Sequence, residues 1–285
     1  LPAFANYADA LQAIQRVIDG EARRTADRGA PAQAGPTTGA ARTTVEAILA
    51  DSPTGREATD EEALAILADH GVSVVPTRHV ATLEEATWAA EELGWDVVLK
   101  ATARAARGRP DTPNVSRHLR DAADLAAAWA QLERLAGHLG APDAAAISPV
   151  VQPTVPTGIP LTLRAIEDRA LGPMVCVGVA GLPSELLGDL AWRAAPLTPD
   201  EGFAMLGSLG AATILEGYRG SPPAHWFSIV DALVRLARLK DDLPEVVEAD
   251  FTPVLAGASG AAIVGVRLRI APALRVRDPL ARRTT

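Results

Sequence analysis

The chain has 285 residues, a formal charge of −8 at neutral pH, 48% apolar residues with few aromatics, and one cysteine. That length supports a real core in one large or two modest domains, and the acidic balance excludes general nucleic-acid binding, which needs a basic footprint. A single cysteine excludes an internal disulfide and fits a reducing, cytoplasmic setting. No run of about 18 apolar residues occurs, so no helix is expected to cross a membrane. The chain opens at Leu1 without a basic-then-apolar leader, and an excerpt of a longer protein is expected.

Residues 7–24 place Leu11, Ile14, Val17 and Ile18 at helical spacing and predict a short amphipathic helix. Residues 25–44, TADRGAPAQAGPTTGAARTT, are small, polar and aperiodic, which predicts a flexible linker and a boundary near residues 45–55. ATDEEALAILADHG then predicts a helix with Thr59 as N-cap, acidic residues in its first turn and Gly71 as its stop. VSVVP (72–76) predicts a short strand, TLEEATWAAEELG a helix opened by Thr82 and closed by Gly94, and WDVVLKA a buried strand. This alternation argues for an α/β fold.

DAADLAAAWAQLERLAGHLG reads as a long helix, followed by three strands in AAAISPVVQPTV, IPLTLRAI and GPMVCVGVAG. Residues 201–215 read as helical and AHWFSIVDALVRLARL as a strongly amphipathic helix. The closing stretch EADFTPVLAGASGAAIVGVRLRI (248–270) reads as two strands joined by a glycine-rich turn.

The closing hairpin also carries the most distinct chemistry. Residues two apart on a strand share a face, so Glu248, Asp250 and Thr252 line one side, with the carboxylates roughly 7 Å apart and able to share a cation. A metal–phosphate site would draw another oxygen ligand from the returning strand, where Gly265 stands instead. Lys100 ends a buried strand and either meets a phosphate as a point charge or is an ordinary strand-end lysine. RGRPD (107–111) either closes over an anion or is a solvated loop. GVAGLPSELLGD (178–189) offers backbone amides to a phosphate but fits neither the P-loop nor the dinucleotide fingerprint. Arg219, in LEGYRGSPP, either contacts a phosphate or ties down its own loop. Cys176, among apolar neighbours, reads as buried and structural, and the five histidines show no metal-ligand spacing.

Seven segments occur in order: LADHGVSVVP, ATLEEATWAAEELGWDVVLKA, VVQPTVPTG, LGPMVCVGVAG, SELLGDLAWRAAPL, ILEGYRGSPP and LPEVVEADFTPVL. Together they resemble, over residues 57–270, the ATP-grasp domain of ADP-forming (NDP-forming) acyl-CoA synthetases, relatives of succinyl-CoA synthetase. LPAFANYADALQAI is similar to the end of the preceding CoA-ligase region in single-chain members. The resemblance implies residues 1–55 as the end of that region plus a linker, 56–275 as a two-lobed ATP-grasp fold with mixed sheets (lobes near 56–150 and 151–275), and 276–285 as a tail. It implies ATP or ADP held by Lys100 and Arg109 on the phosphates, with Gln152, Pro153, Thr154 and Val155 beside the adenine. It implies magnesium on Glu248 and Asp250, and a phosphohistidine in another domain that carries phosphate between an acyl phosphate and ADP. Implied partners are the CoA-binding and ligase domains of the same longer protein and, in fused members, a protein acetyltransferase domain.

The sequence departs from that family's pattern at the metal and phosphate positions. Where the family has Asp-x-Asn-Pro, Thr252 replaces the metal-binding Asn, and Gly265 replaces an Asp on the return strand. In the loop between lobes, GRPDTPNV (108–115) keeps a positive charge at Arg109 and keeps Asp111. It has Gly108 at the histidine position and Pro113 and Asn114 at the paired glycines. Proline fixes φ and removes an amide donor, stiffening that loop. Pro160 stands near a usual glutamate. The expectation is a nucleotide-binding region impaired in phosphoryl transfer, regulatory or structural in role, with magnesium in doubt. The alternatives are a working ADP-forming acid–CoA ligase component and an interaction domain that binds no nucleotide.

Overall fold

The computed structural model describes residues 39–103, 114–169, 171–181 and 186–273, together with Tyr7, Leu11 and Ile14 on an N-terminal helix. Two antiparallel sheets organise these residues. The smaller has four strands in the order β2 (Arg78–His79), β5 (Pro149–Pro153), β3 (Val97–Ala101), β4 (Val115–Leu119). The larger has seven, in the order β1 (Arg56–Glu57), β11 (Val266–Ile270), β9 (Val246–Gly257), β6 (Ile159–Asp168), β7 (Gly172–Val179), β8 (Leu190–Ala194), with β10 (Gly260–Ile263) also paired to β9.

The small lobe forms because β3 alternates: Val97, Leu99 and Ala101 point toward the helices α3 (Leu83–Leu93) and α4 (Ala122–His138). Ala86, Ala89 and Ala90 of α3 and Leu125, Trp129 and Leu132 of α4 complete that core. Thr82 caps α3 by accepting from the Glu85 amide at 3.2 Å, and Gly94 ends it with φ of 89°, the left-handed geometry that glycine takes without strain. In the large lobe Leu161, Leu163 and Ala165 of β6, Val175 and Val177 of β7, and Ala249 and Phe251 of β9 are fully buried. They pack with helices α5 (Pro199–Gly207) and α7 (Trp226–Asp242) in one core. At about 25 cal/mol per Å² of apolar surface, this alternating face supplies most of the drive to fold. The opposite face of the same strands carries Thr162, Arg164, Glu248, Asp250 and Thr252.

Four sequence-based expectations change here. VSVVP forms no named strand: Val74 makes an isolated bridge to Ile263 and the Val75 amide donates to the Ile263 carbonyl at 2.9 Å. The sheets are not mixed, since every named strand pair is antiparallel; β5 inserts between β2 and β3, so these two strands, consecutive in sequence, are not neighbours. The helical stretch 201–215 divides into α5 and a short α6 (Ala212–Leu215). Residues 40–75 belong to the large lobe, not to the first lobe or a linker. Helix α1 (Ala40–Asp51) buries Ala41, Val45 and Ile48, and α2 (Asp60–Asp69) buries Ile66 and Leu67, in the large core. Apolar periodicity says that a helix face is buried, not against which sheet.

Candidate functional site

Lys100 and Gln152 stand on the face of the small sheet turned away from α3 and α4. Lys100 pairs in register with Val150, and Gln152 with Val98, one step along the same two strands. Even positions of β3 and β5 point to this face, so the two side chains are diagonal neighbours. Gln152 is buried, and its Nε2 donates to Thr77 Oγ1 at 2.6 Å and to the Val264 carbonyl at 3.0 Å. Those bonds tie the small sheet to the closing hairpin of the large lobe, because the Val264 amide itself donates to the Pro253 carbonyl. Pro153 ends β5 and Val155 is half-buried. The Thr154 amide donates to Asp96 O at 2.8 Å, and its buried Oγ1 has no hydrogen-bond partner among the described residues. Arg109, with Gly108, Asp111 and Pro113, lies outside the described residues; Asn114 accepts from the Ala101 amide.

The closing hairpin is built on a bulge. Leu161 pairs with Val254 and Leu163 with Phe251, so Thr162 alone opposes Thr252 and Pro253. Such an extra residue re-aims the side chains beside it. The return segment is split: β10 and β11 both pair with β9, and Gly265 lies in the gap between them. Glu248, Asp250 and Thr252 do share one face. The Thr252 hydroxyl bonds to Asp250 Oδ1 and to Thr162 Oγ1. Glu248 Oε1 is 3.3 Å from Arg164 Nη2 and 3.5 Å from Arg267 Nη2. Asp250 Oδ2 is 3.7 Å from Arg164 Nε and 3.7 Å from Arg267 Nη2. Among the described residues, no group of three or more His, Cys, Asp or Glu side chains is placed to hold a metal ion.

Arg164 and Arg267 are residues that sequence reading missed. Their one visible signal is alternation, since LTLRAI and VRLRI put these arginines on the polar face of each strand. The register that makes Arg164, Asp250 and Arg267 one cross-strand row is a property of pairing. Cys176 is buried, as its neighbours suggested, and burial pushes its thiol up to about 12, so it is no nucleophile. Arg219 stacks over the Tyr218 ring, 5.4 Å from its centroid. Residues 182–185 of the glycine-bearing turn lie outside the described residues.

Residues 50–270 match the ATP-grasp domain family. The chain is 33% identical over 215 residues to acetate–CoA ligase [ADP-forming] I of Archaeoglobus fulgidus, covering 75% of this chain and 31% of that protein's length. It is 30% identical over 228 residues to the beta subunit of acetate–CoA ligase [ADP-forming] II of Pyrococcus furiosus, covering 79% of this chain and 95% of the subunit. Its fold superposes with a TM-score of 0.67, at 27% identity, on acetyl-coenzyme A synthetase 1 of Ca. Korarchaeum cryptofilum in complex with coenzyme A and Ca-AMPCP, covering 81% of this chain and 99% of that one. On that match the chain belongs to the ATP-grasp family, in the branch of the ADP-forming acetyl-CoA synthetase beta subunits.

Proposed function

We propose that this chain is the nucleotide-gripping region of an ADP-forming acyl-CoA synthetase-like protein of the cytoplasm, impaired in phosphoryl transfer and retained for regulation or structure. Lys100 and Arg109 receive the phosphates of ATP or ADP, and residues 152–155 lie beside the base. The CoA-binding and phosphohistidine-bearing parts belong to other regions of a longer protein, with an acetyltransferase domain as a further fusion partner. One observation carries the impairment: the carboxylates that would face a magnesium ion at the hairpin lie beside two guanidiniums and a hydroxyl. Glu248 and Asp250 face two guanidiniums, Thr252 donates to Asp250, and Gly265 has no side chain to offer. Magnesium requires near-octahedral oxygen ligation at about 2.0–2.1 Å, and this donor set does not fit it.

A working ligase component is the second reading, and the retained pair of carboxylates on one strand face favours it. A thermal-shift titration with ATP and ADP, with and without magnesium, separates the two. A ligand at 100 times its Kd adds about 2.7 kcal/mol, which raises the midpoint by roughly 5–10 °C in a domain of this size. The impaired reading expects that rise irrespective of magnesium; the ligase reading expects it only with magnesium, together with ATP turnover by the intact protein. No rise under any condition would leave an interaction domain.

A further inference from the structure

The hairpin carries two guanidiniums beside the carboxylates to which the family resemblance assigns magnesium. Arg164 on β6 and Arg267 on β11 flank Asp250 of β9 in register, and both reach Glu248 in the adjacent row. Two carboxylates and two guanidiniums cancel, so the row offers no net negative charge to a divalent ion. The arginines are not spent on this pairing. The Arg164 side chain is 37% exposed; its Nη2 donates to Glu248 at 3.3 Å, while its buried Nε, 3.7 Å from Asp250, has no hydrogen bond among the described residues. Arg267 is 50% exposed and, among the described residues, makes ion-pair approaches of 3.5–4.0 Å to Glu248, Asp250 and Glu57. A guanidinium carries five donors in a rigid fork that matches phosphate oxygens.

We infer that Arg164 and Arg267 stand in for the metal: they receive the polyphosphate of a nucleoside di- or triphosphate directly, and Glu248 and Asp250 act as anchors that aim the guanidiniums. The site therefore takes its nucleotide without a divalent cation. This deepens the nucleotide-binding reading above and rests on it.

Two measurements on the intact protein test it. The first titrates ADP calorimetrically in EDTA and in magnesium. The wild type is expected to bind with the same Kd, within about twofold, in both. Arg164→Gln is expected to lose at least tenfold in EDTA and to regain affinity when magnesium is added. Arg164→Lys, which keeps the charge but not the fork, should fall between them, and all three proteins are first matched for thermal midpoint. The second follows Mn²⁺ without nucleotide by electron paramagnetic resonance. The wild type should leave the ion free, and an Arg164→Gln/Arg267→Gln protein should gain at least tenfold in affinity.

Wild-type binding that requires magnesium would overturn the inference while leaving the nucleotide reading standing. So would an Arg164→Gln protein with unchanged affinity in EDTA, or wild-type Mn²⁺ binding as tight as the double variant's. Absence of ADP binding under both conditions would sink the nucleotide reading itself, and the phosphate-receiving role with it.

Discussion

A β-carbon built on Gly265 would stand 2.3 Å from the Thr252 carbonyl oxygen and 3.1 Å from its carbon. The Thr252 amide donates to the Gly265 carbonyl, so the two backbones are held face to face and neither can simply retreat. Sequence alone marks this position as a missing ligand; the structure shows that the local backbone has closed over the space such a ligand needs. Gly265→Asp is expected to cost about 1–3 kcal/mol, the usual range for overpacking, seen as a lower urea midpoint. Thr252→Asn, on the exposed face, is expected to change that midpoint little. Full stability of Gly265→Asp would show that the hairpin adjusts freely. Elsewhere, Arg56 donates twice to the Glu62 carboxylate at 2.7 Å, which with capping bonds at Thr59 holds it at about 2, below its ordinary 4.5. A depressed carboxylate stabilises the fold above its unfolded pKa, and that contribution is lost as pH falls through the folded value. Acid unfolding followed between pH 4.5 and 2 should therefore be shallower in Glu62→Gln, and that variant should already be weaker at neutral pH.

At the scale of elements, the caps and alternations were legible because they are local. Thr59 is the expected N-cap and forms a capping box with Glu62, and Asp121 caps α4 by accepting from the Asp124 amide. What could not be read was partnership between distant elements. Lys240 looks in sequence like a cation suited to a helix C-terminus. On α7, however, it continues the buried row of Ile229, Leu233 and Leu236, while Glu167 continues the buried row Leu161, Leu163, Ala165 on β6. They meet at 2.6 Å, and Lys240 also donates to the Pro244 carbonyl. Breaking one half of a buried pair is expected to be severe, and replacing both by apolar groups mild. Lys240→Met alone should lower stability by about 3–5 kcal/mol in chemical denaturation. A Lys240→Met/Glu167→Leu protein should recover most of that. Equal loss in both would mean that the pair's geometry, not its uncompensated charge, dominates.

For the whole molecule, two cores imply two units that can open separately. Among the described residues, the lobes meet through Gln152, whose amide reaches the Val264 carbonyl and the Thr77 hydroxyl at the point where the chain leaves the large lobe. Gln152→Ala leaves a partly buried hydroxyl and carbonyl short of a donor, worth about 0.5–1.5 kcal/mol. Hydrogen exchange should show β3 and β5 losing protection in that variant while β6 and β9 keep theirs. Uniform loss across both sheets would mean a single cooperative unit. The two-lobed fold was readable from the order of motifs. The assignment of residues 40–75 was not, because a helix pattern carries no address.

That path has a mechanical meaning. From Gly39 the described chain runs in the large lobe, leaves it near Thr77, builds the small lobe and returns near Thr154. The outgoing and returning strands lie side by side, with Arg78 paired to Val151 and Thr77 bonded to Gln152. In topological terms the small lobe is an insertion carried on a two-stranded stem. Helix α1 packs in the same core as the strands that bear the carboxylates, so the described N-terminal end is held by the frame from which the lysine-bearing lobe is carried out.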